Sequence, residues 1–522
     1  VSQVMIDALK DPACYDHPVT AIEVFETHIS WIVLTGDFAY KIKKPLDYGS
    51  FLDFSTREKR QRFCEQEVRL NRRLAPNLYL GVVALSGDAR QPRVNDDSAP
   101  FEYAVKMRQF SNRHLFSHLQ ASGELSLELL DDLIDQLVAF HEGAERLHAE
   151  NDHGSRDALQ AILEREFELI EARLSSGADQ RRLEHLRTWV AEALERLAGE
   201  FDRRHREGYV RETHGDVHLG NAVQHEGQAL LFDGIEFNDE LRWNDVGSDL
   251  AFLLMDLEAR GERAFANHAL NRYLELSGDH TLVRLLPFYK LYRALVRAKV
   301  AMLRYHNPEL HPVDRQAIMA DYRRYITLAE QYAEFNFPYL VIGVGVSGSG
   351  KSRFTGEMVQ RLGGIRLRSD VERKRLFGFD PQAATDRAGV DIYSAEATGQ
   401  TYRRLARLSG ILLEAGFPVC IDATCLKREQ RELLRHQAEG RGLPILMVSF
   451  EADEETLRGR IIKRAQRGGD PSEAGLAVLE RQQRDFEVFD DDERLHLVHL
   501  DTTADNANLT LVGLIQERLR LQ

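Results

Sequence analysis

The chain has 522 residues, 43% of them hydrophobic, too many for one core and enough for two or three. Lys and Arg number 68 against 83 Asp and Glu, and the net charge of −15 opposes a broad footprint on nucleic-acid backbone. Four cysteines (Cys14, Cys64, Cys420, Cys425) show neither metal-site spacing nor scaffold density, and no membrane span or leader is evident, which predicts a cytoplasmic protein with no membrane partner.

After a lead-in over residues 1–28, segments 29–34 and 37–43 read as two strands around Thr35-Gly36, a hairpin signal. Ala39 and Lys41 fall on one strand face with Lys43 next along it, so this face either offers amines to phosphate or is a solvated edge. Residues 55–74 read as a helix carrying Glu65 and Glu67, and a Glu so placed can hold a strand lysine by an ion pair, as kinases do. Strands are expected at 80–85 and 102–107, with an exposed turn over 86–100. Helical spacing then covers 126–147, 155–174 and 179–204, whose Arg/Glu runs read as solvated faces; His141 reads as a packed helix histidine or a site neighbour.

The run Thr213-His214-Gly215-Asp216-Val217-His218-Leu219-Gly220-Asn221, followed by Asp233-Gly234-Ile235-Glu236, concentrates acids and amides. Phosphoryl transfer needs a carboxylate to take the hydroxyl proton and oxygen ligands for Mg2+. Asp216 suits the base, and Asn221 and Asp233 the metal; the competing reading is a set of helix caps and turns. The step from Asp216 to Asn221 is that of the protein-kinase catalytic loop, and the apolar run 229–232 would deliver Asp233.

On these residues the segment from about 25 to 310 resembles the aminoglycoside/choline phosphotransferase group, relatives of protein kinases. The resemblance implies a bilobal protein-kinase-like fold binding ATP, with Lys41 as strand lysine, Glu67 as helix glutamate, 102–107 as the adenine hinge and Asp249 supporting the catalytic loop. Two departures stand out: Thr35-Gly36 lacks a glycine-rich loop, and Asp233-Gly-Ile-Glu236 replaces D-F-G. Helices over 249–260, 265–276, 281–305 and 312–335 close the lobe, which ends near Pro338.

From 339 to 345 a short apolar run reads as a buried strand, and Gly345-Val346-Ser347-Gly348-Ser349-Gly350-Lys351-Ser352 leads from it into a helix. That is the context of a P-loop: backbone amides around Gly345, Ser347, Gly348, Ser349 and Gly350 cradle phosphate, Lys351 reaches the β- and γ-phosphates, and Ser352 offers a hydroxyl to Mg2+. A flexible Gly/Ser loop is the bland alternative. The strand ending at Asp370 places a carboxylate toward the phosphates, as general base or as a helix N-cap. A buried strand ends at Asp422, a metal-supporting position, and Ala423 stands where motor ATPases carry a Glu, which favours transfer to an acceptor over hydrolysis. Arg460, Arg464 and Arg467 share a helix face before the turn-like 468–471 and read as a lid or a solvated face.

This half resembles small P-loop kinases such as gluconate kinase, zeta toxin, chloramphenicol phosphotransferase and polynucleotide 5′-kinase, which implies Asp370 as general base and Arg464 and Arg467 as lid. The whole chain resembles a bacterial fusion of an aminoglycoside phosphotransferase-like kinase with a P-loop ATP-binding kinase. The expectation is a two-domain α+β and α/β protein, with a kinase-like domain over 1–337 (small lobe about 25–110, helical lobe about 111–337) and a parallel-sheet P-loop domain over 338–522. Function is expected to be two-site, ATP- and Mg2+-dependent phosphoryl transfer to hydroxyls of small molecules. Two other readings remain open: a 5′-hydroxyl nucleic-acid kinase using a groove of Arg366, Arg368 and Arg373, or one half as a nucleotide-sensing module without chemistry.

Overall fold

The computed structural model describes residues 3–148, 150–307, 310–381, 391–467 and 474–520; segment 468–471, read above as a turn, lies outside them. Two compact units emerge, one of residues 1–256 and 292–322, the other of 257–291 and 323–522.

In the first unit, six strands form an antiparallel sheet: β1 (Glu23–Glu26), β2 (Ser30–Leu34), β3 (Phe38–Lys43), β4 (Tyr79–Asp88), β5 (Gln91–Val94) and β6 (Pro100–Arg108), in the order β1-β2-β3-β6-β4-β5. Strand β3 pairs with both β2 and β6, so its lysines lie on an interior strand and the solvated-edge reading fails. Its alternation splits the two faces: Tyr40 and Ile42 enter a core with Trp31, Val33 and Val83, while Ala39 packs with Cys64 and Val68 of the helix Arg57–Asn71. That helix starts at Thr56, whose hydroxyl accepts from the Lys59 amide. It thereby covers the face carrying Lys41 and Lys43.

A short helix, Phe116–Ala121, and four longer ones follow, Leu127–Gly143, Arg156–Glu171, Gly177–Arg196 and Ala198–Arg206, the first three of these capped by Ser126, Ser155 and Ser176. Two short antiparallel pairs carry the motif residues: β7 (Val210–Glu212) with β10 (Trp243–Asp245), and the hairpin of β8 (Ala222–His225) with β9 (Gln228–Leu231).

The second unit holds an all-parallel sheet of β11 (Leu340–Val344), β12 (Ile365–Arg368), β13 (Val419–Asp422), β14 (Ile445–Glu451) and β15 (Leu497–Asp501), ordered β12-β13-β11-β14-β15. One face is covered by the helices Lys351–Leu362 and Ala507–Arg520, with Val341, Phe354, Cys420, Val448 and Leu511 in the shared core. The chain order reverses at β11, between β13 and β14, where an open parallel sheet leaves a crevice at its strand ends.

The edge strand β12 is closed by a side chain. Asn271, on the helix Arg263–Ser277, donates from Nδ2 to the Gly364 carbonyl at 3.0 Å and accepts the Arg366 amide at 2.8 Å, which imitates a strand neighbour. Glu275 on the same helix binds Arg366 at 2.8 Å. Residues 257–291 and 323–337, placed in the first domain by the sequence reading, fall in the unit of the parallel sheet, and the helix Arg263–Ser277 packs on its edge. Among the described residues no helix is long and apolar enough to cross a membrane.

Candidate active sites

The first candidate site grows from the buried face of β3. Lys41 Nζ donates to Glu67 Oε1 at 2.8 Å and to Asp233 Oδ1 at 2.5 Å. Lys43, fully buried, donates to Glu67 Oε2 at 2.6 Å and to Glu236. Burial raises a carboxyl, but Lys41 and Lys43 hold that of Glu67 below its usual range. Burial opposes the Lys41 ammonium too, yet Asp233 and Glu67 keep it charged far into the alkaline range.

Asp233 follows β9 in a left-handed conformation, φ 59°, held because its amide donates to the Tyr79 hydroxyl at 2.9 Å and the next amide, of Gly234, donates to Asn71 Oδ1 at 2.8 Å. Its side chain remains 44% exposed, leaving oxygen available to a ligand. The catalytic-loop candidate is anchored by Asp249, fully buried, which accepts the His214 amide at 3.0 Å and the Gly215 amide at 2.9 Å, with His141 Nε2 3.1 Å away. His141 thus touches the site through Asp249. Gly215 has φ 84°, and a Cβ there would stand 2.7 Å from the Leu241 carbonyl oxygen.

His214 links the two segments. Its Nδ1 accepts the Asp216 amide at 3.2 Å while Nε2 lies 2.8 Å from the Phe232 carbonyl, an arrangement that fits the neutral ring with its proton on Nε2. Burial lowers its pKa accordingly, against the pull of Asp249 and Asp216. The Asp216 carboxylate is flanked by Asn221 Nδ2 at 2.9 Å and His218 Nε2 at 3.4 Å. Burial would raise its pKa, but His218, His214 and Arg297 depress it well below the carboxylate range. The Phe232 amide donates to the Asn221 carbonyl at 3.0 Å, so Asp216, Asn221, Asp233, Lys41 and Glu67 form one connected cluster. The cap-and-turn reading does not account for it.

Two corrections apply. Residues 102–107 lie inside β6, laddered to β3 and β4, and Glu102 is spent on Arg60, which binds it through Nε at 3.0 and 3.1 Å; this is not an open hinge for adenine. The sequence reading placed Lys43 on the lysine face and Glu236 beside Asp233 but missed their pairing, because strand periodicity gives a face and not a partner. Tyr79 and Asn71 had no signal beyond their helix and strand.

The second candidate site lies at the end of β11. Positive φ at Gly345, Gly348 and Gly350 shapes the loop, and a Cβ on Gly348 would lie 2.7 Å from the Leu457 carbonyl oxygen. The first amides of the helix Lys351–Leu362 have no intrahelical acceptor and point their dipole toward the loop. Lys351, buried, donates to the Val346 carbonyl at 3.0 Å and lies 3.4 Å from Ser349 Oγ; burial lowers its pKa, opposed by Asp422 and Asp370. Ser347 gives its amide to Gln482 at 2.7 Å, a partner absent from the sequence reading, and Ser352 is exposed.

Asp422, at the end of β13, is 5% exposed; its Oδ2 makes no hydrogen bond but lies 3.5 Å from Arg368 Nε, so a guanidinium already faces this carboxylate. Asp370 sits half-buried in the first turn of the helix Ser369–Leu376, whose N-cap position is Arg368, so the N-cap reading of Asp370 falls. The three arginines separate. Arg460 is a brace, donating to the Gly348 carbonyl at 3.2 Å and to Thr502 at 2.9 Å. Arg464 binds the Ala474 carbonyl at 2.8 Å and its charge acts on Lys351. Arg467 is exposed at the last position of the helix Glu454–Arg467.

Among the described residues no three His, Cys, Asp or Glu side chains gather as a resident metal site. Mg2+ bound with nucleotide needs only one or two protein oxygens beside phosphate and water, fewer than a resident metal site.

Residues 340–489 match the family described as AAA domain. Uncharacterized proteins of Mycobacterium tuberculosis and Mycobacterium bovis are 31% identical over 491 residues, covering 92% of this chain and 94% of theirs. Among solved structures, a gluconokinase from Sinorhizobium meliloti is similar at 23% identity and TM-score 0.25, over 36% of this chain and 98% of that one. An amicoumacin kinase in complex with AMP-PNP is similar at 13% identity and TM-score 0.38, over 59% of this chain and 88% of that one. A choline kinase from Cryptosporidium parvum is similar at 10% identity and TM-score 0.38, over 63% and 94%.

Proposed function

This chain belongs to the family of those mycobacterial proteins, and for it we propose ATP- and Mg2+-dependent phosphoryl transfer to hydroxyl groups of small molecules, at two nucleotide sites. The observation that carries the reading is the connected cluster of Lys41, Glu67, Asp233, Asn221 and Asp216 in a unit separate from the P-loop. A single ATPase or a nucleotide sensor has no need of a second buried lysine with its own base and metal ligands.

At the first site, Lys41 leaves Asp233 for the nucleotide phosphates while Glu67 keeps it aligned, and Asp233 and Asn221 supply oxygens to Mg2+. Mg2+ held by these oxygens would supply neutralisation of the charge on the transferred group. Asp216, ionised at neutral pH, accepts the proton of the acceptor hydroxyl as its oxygen attacks the γ-phosphorus and the bond to ADP breaks. His218 and Asn221 fix the carboxylate for that step. At the second site, the loop amides and Lys351 hold the phosphates, Ser352 and Asp422 supply the Mg2+ oxygens, Asp370 is the base, and Arg464 and Arg467 form the lid over the transferring group.

Transfer of labelled γ-phosphate from ATP to a panel of sugars, aminoglycosides and other metabolites tests this on wild type, Asp216→Ala and Asp370→Ala. Each substitution is expected to remove a different product; a panel on which both variants match wild type would sink the proposal.

A further inference from the structure

Within the first unit, the helix Arg57–Asn71 is tied at three levels to the segments that carry the site. Near its start, Arg60 grips Glu102 of β6, both buried. At its centre, Glu67 is divided between Lys41 through Oε1 and Lys43 through Oε2. Lys43 continues the chain to Glu236, three residues beyond Asp233. At its end, Asn71 accepts the Gly234 amide, and Arg69 and Arg73 bind Glu212 of β7 at 2.8 and 3.2 Å.

Lys41 alone would satisfy the usual kinase requirement of one lysine on one glutamate. The second pair does something further. Lys43, Glu67 and Glu236 are each at most 4% exposed, so none is placed to meet nucleotide or solvent. Glu67 accepts from both lysines, which makes its withdrawal costly: a buried carboxylate would lose two ammonium partners, and Lys43 would be left to Glu236 and Lys41 to Asp233.

We propose that Lys43 and Glu236 are positioning residues that lock the Arg57–Asn71 helix and the Asp233 segment into register, so that the first site is assembled before nucleotide binds. The inference rests on the kinase reading of that site. Unlike a site switched by swinging its glutamate helix, this one is then governed by substrate alone.

The test uses the full chain carrying Lys351→Ala, which silences the P-loop. Lys43→Met with Glu236→Met removes both charges at similar volume, so the fold has no orphaned ion to bear, and circular dichroism checks it. Hydrogen exchange over residues 57–71 and 233–238 is read with and without MgATP, and MgATP affinity is measured in parallel. The expected result is slow exchange that MgATP leaves unchanged in the parent, faster exchange made MgATP-sensitive in the double variant, and affinity weakened about tenfold or more. Restoring Lys43 and Glu236 one at a time should not recover affinity, since each needs the other. Exchange in the parent that slows on adding MgATP, or parent-like exchange and affinity in the double variant, overturns the proposal. If the parent binds no MgATP, the kinase reading of this site fails by itself, and exchange without nucleotide still decides the lock.

Discussion

Asp216 is the residue on which the first site's chemistry turns. Its replacement by Ala should lower kcat by about a hundredfold to ten-thousandfold while leaving MgATP affinity nearly unchanged, measured by single-turnover transfer. Because His218, His214 and Arg297 hold its pKa below the ordinary 3.8, the base is ionised throughout the neutral range, and no acid limb of the rate profile should belong to it above about pH 4. The sign for stability follows: a depressed carboxyl stabilises the fold above its unfolded value, and that contribution is lost as pH falls through the folded one. The stability gap between wild type and Asp216→Asn, whose amide imitates the protonated acid, should stay constant above about pH 4 and narrow below it as the wild-type carboxylate protonates. Gly215→Ala, with its Cβ pressed on the Leu241 carbonyl at positive φ, should cost about 1–3 kcal/mol, read as a lower thermal midpoint. At this scale the spacing of Asp216 and Asn221 made the site legible from sequence, since both lie on one short loop. Lys43 with Glu236 did not, because the two are joined only when β3, the helix and the Asp233 segment pack.

Among the elements, β12 shows how much packing adds to local pattern. Its apolar residues announced a strand, but the strand read as running to Asp370 ends at Arg368, and Asp370 falls in the first turn of the next helix. That a helix over Arg263–Ser277 would close the strand's edge was not legible, because one Asn side chain makes the two bonds and amphipathic periodicity assigns no partner. Asn271→Ala strands the Gly364 carbonyl and the Arg366 amide at the edge of the sheet and should cost about 1–3 kcal/mol in denaturant unfolding. The same limit explains the arginines of the helix Glu454–Arg467: helical spacing put Arg460, Arg464 and Arg467 on one face, but Arg460 is consumed by Gly348 and Thr502. Arg460→Met should therefore act on the P-loop's shape, raising the KM for ATP more than it lowers kcat.

For the whole molecule, the chain carries two sets of groups suited to phosphate, each built inside its own compact unit. Mixed α/β architecture and the P-loop were plain in the sequence, since the loop's glycines and lysine sit between a strand and a helix. The division into units was not, because residues 257–291 follow the first site in the chain yet pack against the second sheet. The central claim is that both sets bind nucleotide. Equilibrium binding of ATP with Mg2+ to the full chain measures it directly: two molecules per chain for wild type and one for Lys351→Ala agree with the account, whereas one for wild type and none for Lys351→Ala contradict it.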